Sequence, residues 1–288
     1  MLLLNASGCL DALTAPDVAA QLDAFVTKTV TPEPREGNAP VRIAETDAGM
    51  LNAIGLANPG RDLFVRRILP ELASTVDAPI WVSVGGFAAR EYAETCAVLG
   101  AGDGVAAIEL NLSCPNVDEA AESAAEIVAA CRAATELPLY AKLSPAAWDI
   151  AEVARAVDAV GADGLSLVNT MRGTALDARL RPVLARVTGG YSGPALKPIA
   201  LAAVYACRRV TELPIVGMGG VRTGRDVIEF VACGATHVAV GTALFADPDA
   251  PRRVRTELQI ALADAGFDNV DDVFAVAHEA VATVDNRG

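Results

Sequence analysis

The 288-residue chain is poor in lysine, histidine and aromatic side chains. Lysine occurs only at positions 28, 142 and 197, histidine only at 237 and 278, and Phe, Trp and Tyr together make up 5%. No run of about 18 apolar residues is present, and "MLLLNASGCLDAL" is too short and lacks a basic start. Neither a membrane span nor a secretion signal is therefore expected, and the reading is a cytoplasmic protein. A net charge of −13 supplies no basic stripe for a phosphate backbone, which argues against nucleic acid as a partner. The six cysteines (9, 96, 114, 131, 207 and 233) include no C-x-x-C pair, so neither a metal site nor a disulfide framework is expected. Cys96, Cys131, Cys207 and Cys233 sit beside Ala and Val in helical patterns and read as small buried apolar residues; Cys9 is ambiguous. No linker or internal repeat breaks the chain, which is read as one domain over 1–288.

What the sequence does have is alternation. Short β-type runs at 2–7, 25–29, 79–84, 105–114, 138–144, 164–170, 214–220 and 237–245 are separated by Ala-rich amphipathic helical patterns. Eight strand–helix units of this kind predict an α/β fold, a TIM (β/α)8 barrel of parallel strands, with an open doubly wound sheet as the alternative. Two stretches, 30–59 and 171–196, break the rhythm and are rich in Gly and Pro or otherwise irregular. In a barrel they fall at the C-terminal rim, where βα loops build active sites.

The ends of the predicted strands are polar at almost every position. They read Asn5 to Gly8, Lys28-Thr29, Asn111 through Asn116, Lys142, Asn169-Thr170, Gly219-Gly220 and Gly241-Thr242. Glycines after the last two strands are where a barrel holds a phosphate on backbone N–H groups, and Gly193 opens the preceding helix. Lys28 and Lys142 are expected to face the same mouth, either stabilising an anionic ligand or forming a structural ion pair with a core carboxylate. Lys197, at the start of a helix, is given no role.

Cys114 follows an apolar strand and precedes Pro115, which turns the chain there. A thiol on such a turn is either inert or a nucleophile or base. With no histidine nearby in the sequence, proton abstraction from carbon fits it better than acyl transfer.

Nine segments in register resemble the class 1 dihydroorotate dehydrogenases, flavoproteins of pyrimidine biosynthesis. They are "NASG" (5–8), "TKTVTPEPREGNAPVR" (27–42), "GMLNAIGLANPG" (49–60), "ELNLSCPN" (109–116), "AKLSP" (141–145), "LVNT" (167–170), "GGYSGPALKP" (189–198), "GMGGV" (217–221) and "AVGTALFADP" (239–248). The resemblance implies Cys114 as the base that takes a proton from dihydroorotate while hydride passes to FMN. It implies a substrate site of Lys28, Asn52, Ala53, Ile54, Gly55, Leu56, Asn111, Asn169 and Thr170. FMN would meet Ser7, Gly8, Lys28, Thr29, Ser83, Asn111, Lys142, Val168, Gly193, Gly219, Gly220, Gly241 and Thr242. A cysteine base in place of serine marks class 1 against the quinone-linked class 2, which carries a membrane-associating extension.

Within class 1, "PREGNAPVR" and "LNAIGLANPG" look more like class 1B. A homodimer is then expected, or a heterotetramer with an electron-transfer subunit carrying FAD and an iron–sulfur cluster and reducing NAD. The alternatives are a class 1A enzyme reducing fumarate directly and a non-catalytic barrel that binds a phosphorylated metabolite. Two of the departures from the family pattern bear on the site. Ser83 occupies a position where class 1B commonly has Asn, and "VDEAAESAAEI" replaces the Gly-rich loop that usually follows "SCPN".

Overall fold

The structure is a computed structural model that describes residues 1–112 and 124–279. Eight parallel strands among these residues form a barrel. They are β1 (Leu3–Asn5), β2 (Phe25–Val26), β5 (Ile80–Val84), β6 (Ala107–Asn111), β7 (Leu139–Leu143), β8 (Gly164–Leu167), β11 (Ile215–Met218) and β12 (His237–Val240). The sheet order β1-β12-β11-β8-β7-β6-β5-β2 is closed by a parallel bridge between Leu4 and Ala24. Each strand lies within one of the eight predicted runs but is shorter. The predicted strand 25–29 keeps ladder pairing only at Phe25 and Val26, and the chain touches the sheet again at a bridge from Val30 to Val84.

That seam is held by one side chain. The Asn5 amide donates from Nδ2 to the Val26 carbonyl at 2.7 Å, and its Oδ1 accepts from the Val26 N–H at 2.8 Å. The side chain thus stands in for the ladder bonds that so short a β2 cannot make.

Strand alternation sorts the interior. Along β6, Ile108 and Leu110 join the outer core against the helices, whereas Ala107, Glu109 and Asn111 face the barrel axis. At the bottom of the axis Trp81 and Tyr140 pack with ring centroids 4.3 Å apart. Gly164 is obligatory beside them, because a Cβ there would sit 2.3 Å from a Tyr140 ring carbon. Above this plug lies a buried polar layer that includes Ser83, Glu109, Lys142 and Ser166.

Helices cover the outside at Arg61–Thr75, Ala89–Gly100, Ala124–Arg132, Ile150–Ala159, Lys197–Arg208, Gly224–Ala232 and Ala250–Ala265. The first carries a π-helical turn at Phe64–Ile68. Pro70 explains it: proline has no N–H for the carbonyl of Arg66 and its ring would strike that carbonyl in an α-helical turn. Cys96, Cys131 and Cys207 are buried in this outer core, and Cys233 packs half-buried against it. No described helix is long and apolar enough to cross a membrane.

The two irregular stretches are not loops throughout. They contribute β3 (Ile43–Thr46), β4 (Gly49–Asn52), β9 (Met171–Gly173) and β10 (Gly189–Ser192), which pair into one antiparallel sheet in the order β3-β4-β10-β9. Leu51, Ala53 and Leu184 form its small core.

Asn5→Ala would leave a buried N–H and a buried carbonyl of Val26 unpaired. At about 1–3 kcal/mol per orphaned group, a loss of about 2–6 kcal/mol is expected in denaturant unfolding. Asn5→Asp, which sets a buried carboxylate oxygen against the Val26 carbonyl, should destabilise at least as much as Asn5→Ala.

Candidate active site

A cavity of about 580 Å3 opens at the C-terminal ends of the barrel strands, a size suited to a small-molecule ligand. Its walls come from the strand ends on one side and the antiparallel rim sheet on the other. Ser7 and Gly8 follow β1, Lys28 and Thr29 follow β2, Asn111 ends β6 and Lys142 lies on β7. Val168, Asn169 and Thr170 follow β8, Gly219 and Gly220 follow β11, and Gly241 and Thr242 follow β12. From the rim come Asn52, Ile54, Gly55, Leu56 and Gly193.

Two predicted site residues face elsewhere. Ala53 is 1% exposed and turns into the rim-sheet core beside Leu51, because strand alternation sends it opposite Asn52. Ser83 is fully buried in the barrel, where its hydroxyl lies 3.0 Å from Thr29 Oγ1 and its N–H donates to Thr27 Oγ1. It supports Thr29 from below the cavity. Cys114, with Ser113, Pro115, Asn116 and residues 117–123 of the "VDEAAESAAEI" segment, lies outside the described residues.

The amides form a fixed chain. Asn169 Nδ2 donates to Asn111 Oδ1 at 2.9 Å, Asn169 Oδ1 accepts from the Thr170 N–H at 2.8 Å, and Asn111 Nδ2 donates to Thr29 Oγ1 at 3.3 Å. This pattern assigns the orientation of both amides and leaves each NH2 a second hydrogen. Two such donors on the cavity wall suit carbonyl or carboxylate oxygens of a flat polar ring.

The charges are equally specific. Lys142 Nζ lies 3.2 Å from Glu109 Oε1 in a buried ion pair, so this lysine both faces the cavity and meets a core carboxylate. Among the described residues no carboxylate pairs with Lys28. Burial, followed by repulsion from Lys142, holds its pKa below the usual lysine value. Lys197 instead pairs with Asp226 at 2.6 Å and Glu229 at 2.7 Å on the next helix, in keeping with no role at the site.

Cys9, Ile43, Met50 and Arg222 also line the cavity and were not singled out from the sequence. Ile43 and Met50 come from the hidden rim strands. Burial pushes the Cys9 thiol up to about 11 against the pull of Lys142 and Lys28, so it stays protonated at neutral pH.

The glycines after β11 form a backbone cradle. Gly219 and Gly220 have φ of +120° and +81°, and a Cβ on Gly220 would sit 2.9 Å from the Gly193 carbonyl oxygen. Only glycine lets the two segments approach so closely with N–H groups open to a ligand. Gly220→Ala should cost about 1–3 kcal/mol of stability in thermal unfolding and weaken binding of any phosphorylated ligand.

The comparisons with known proteins converge. The family model described as dihydroorotate dehydrogenase matches residues 2–262. A protein of Desulforudis audaxviator named dihydroorotate dehydrogenase B (NAD(+)), catalytic subunit, is 46% identical over 268 residues, covering 90% of this chain and 87% of its own. A protein of the same name from Trichlorobacter lovleyi is 45% identical over 261 residues, covering 88% of this chain and 86% of its own. The crystal structure of DHODH from Eimeria tenella in complex with ferulenol superposes with a TM-score of 0.81 over 96% of this chain and 85% of that one; at 24% identity it bears on the fold alone. The chain belongs to the dihydroorotate dehydrogenase family.

Proposed function

We propose that this chain is the catalytic subunit of a class 1B dihydroorotate dehydrogenase, oxidising dihydroorotate to orotate in pyrimidine biosynthesis with NAD as final acceptor. The observation that carries the reading is the convergence, in a chain of this family, of nearly all the described strand-end residues on one cavity. The relatives named as catalytic subunits support a partner, to which we assign FAD, an iron–sulfur cluster and the transfer of electrons to NAD. A homodimer of this chain would form the centre of that assembly.

The wall fits FMN. The Gly219–Gly220 cradle, with Gly193, Gly241 and Thr242, would hold the phosphate on backbone N–H groups. Ser7, Gly8, Thr29, Lys142 and Val168 would flank the ring. FMN, when bound, supplies the acceptor for hydride leaving carbon 6 of the substrate.

The remaining chemistry belongs to the chain itself. Cys114 Sγ would take the proton from carbon 5. Lys28 would attract the substrate carboxylate, and the second N–H groups of Asn111 and Asn169, with Asn52 and Thr170, would orient the pyrimidine edge. Ile54, Gly55 and Leu56 would cover the ring and exclude water.

The purified protein should be yellow, and its visible absorbance should bleach on adding dihydroorotate without oxygen. A colourless protein that FMN cannot reconstitute refutes the reading. Cys114→Ala should keep the colour and lose turnover by at least about 100-fold, as for a missing general base. Undiminished turnover would remove Cys114 from that role.

Lys28 gives a pH signature. Its protonated form attracts the anionic ligand, and its lowered pKa means that this charge is lost on the alkaline side sooner than for an ordinary lysine at 10.5. Orotate affinity measured by flavin perturbation should therefore fall with rising pH below pH 10.5, and Lys28→Met should abolish that step.

A further inference from the structure

Glu109 takes no part in the cavity wall, yet it is an acid held inside the barrel at 1% exposure. A buried ion pair is seldom the most stabilising way to fill such a space, since desolvation offsets much of the attraction. Its position suggests what it does. In the β6–β7 ladder Glu109 stands opposite Tyr140 and Asn111 opposite Lys142, so the backbone of Glu109 lies one inward position deeper than that of Lys142, and of the two only Lys142 lines the cavity. Lys142 in turn stands opposite Ser166, whose buried hydroxyl has no partner among the described residues. With Lys28 the cavity floor holds two cations, and Glu109 is the carboxylate that meets one of them.

We propose that Glu109 is a positioning residue that fixes the place of Lys142 and weakens, without cancelling, the charge that Lys142 presents to a bound flavin ring. The inference rests on the flavin reading above. Its physical basis is Coulomb's law: the deeper anion partly cancels the nearer cation at the ring, where reduction places negative charge. Glu109→Gln keeps the shape and removes the charge. The flavin then meets a fuller positive field and its reduced form is favoured.

The test is a redox titration of the FMN-loaded protein against reference dyes. Glu109→Gln should raise the reduced-to-oxidised ratio at a fixed potential at least about tenfold, a rise of about 30 mV for two electrons. Glu109→Asp, which retains the charge, should stay within about threefold of the parent. The double change Glu109→Gln with Lys142→Gln removes the nearer cation as well and should lower the ratio at least about threefold.

An unshifted Glu109→Gln, or a Glu109→Asp that moves as far as Glu109→Gln, overturns the proposal. Should Glu109→Gln not fold, the double variant decides, because it leaves neither charge buried unpaired. A double variant with the parent's potential overturns the proposal. A parent protein that takes up no flavin overturns the functional reading and this one together, whereas a flavin whose potential ignores all three variants overturns this one alone.

Discussion

Barrel closure across the β1–β2 seam is the constraint on which the site depends, and a single amide meets it. Strand β2 is too short to pair fully with β1, and the Asn5 side chain supplies both a donor and an acceptor to Val26 in place of ladder bonds. Ser7 and Gly8 lie just beyond this clasp on one side, and Lys28 and Thr29 on the other. A barrel that opened here would separate the two halves of the cavity floor. The hydroxyl of Ser7, which donates to the Thr27 carbonyl at 2.9 Å, extends the same seam toward the mouth.

Along the barrel axis polarity rises in steps from the bottom toward the mouth. The Trp81–Tyr140 plug is apolar, and the layer above it holds Ser83, Glu109, Lys142 and Ser166. The cavity comes next, lined by amides, hydroxyls and backbone N–H groups. From Ser83 in the middle layer a chain of contacts runs to the cavity wall: Ser83 bears on Thr29, Thr29 on Asn111, and Asn111 on Asn169. Fixed dipoles of this kind do not have to reorganise when charge appears above them, which is the usual source of electrostatic stabilisation in a closed site.

Much of this was legible in the sequence, for particular reasons. Parallel strands buried on both faces leave apolar runs with polar ends, so the eight barrel strands and their rim residues could be read directly. The rim sheet could not. Along β3 exposed and half-buried residues alternate, giving little hydrophobic signal, and its hairpin partner β4 pairs onward with β10, which lies far away in the chain. Ala53 was drawn into the site by its place within a motif, although strand alternation next to Asn52 predicts that it turns away. Ser83 was placed one layer too high. The acid in "AIELN" was a missed signal, since a glutamate in a strand that is otherwise apolar requires a cation, and few lysines were available. Cys114 rests on motif alone, as it lies beyond the described residues.

The rim sheet also bears on how the molecule comes together during synthesis. Strand β4 leaves the chain after the second barrel strand, and its partner β10 only after the sixth; the Ser192 hydroxyl reaches the Met50 carbonyl across 142 positions. Pairings so distant form late, because a long loop must close before any contact rewards it. A nascent chain that has displayed only its first barrel strands therefore has no pocket, and capture of a small molecule must wait until both excursions have emerged and met.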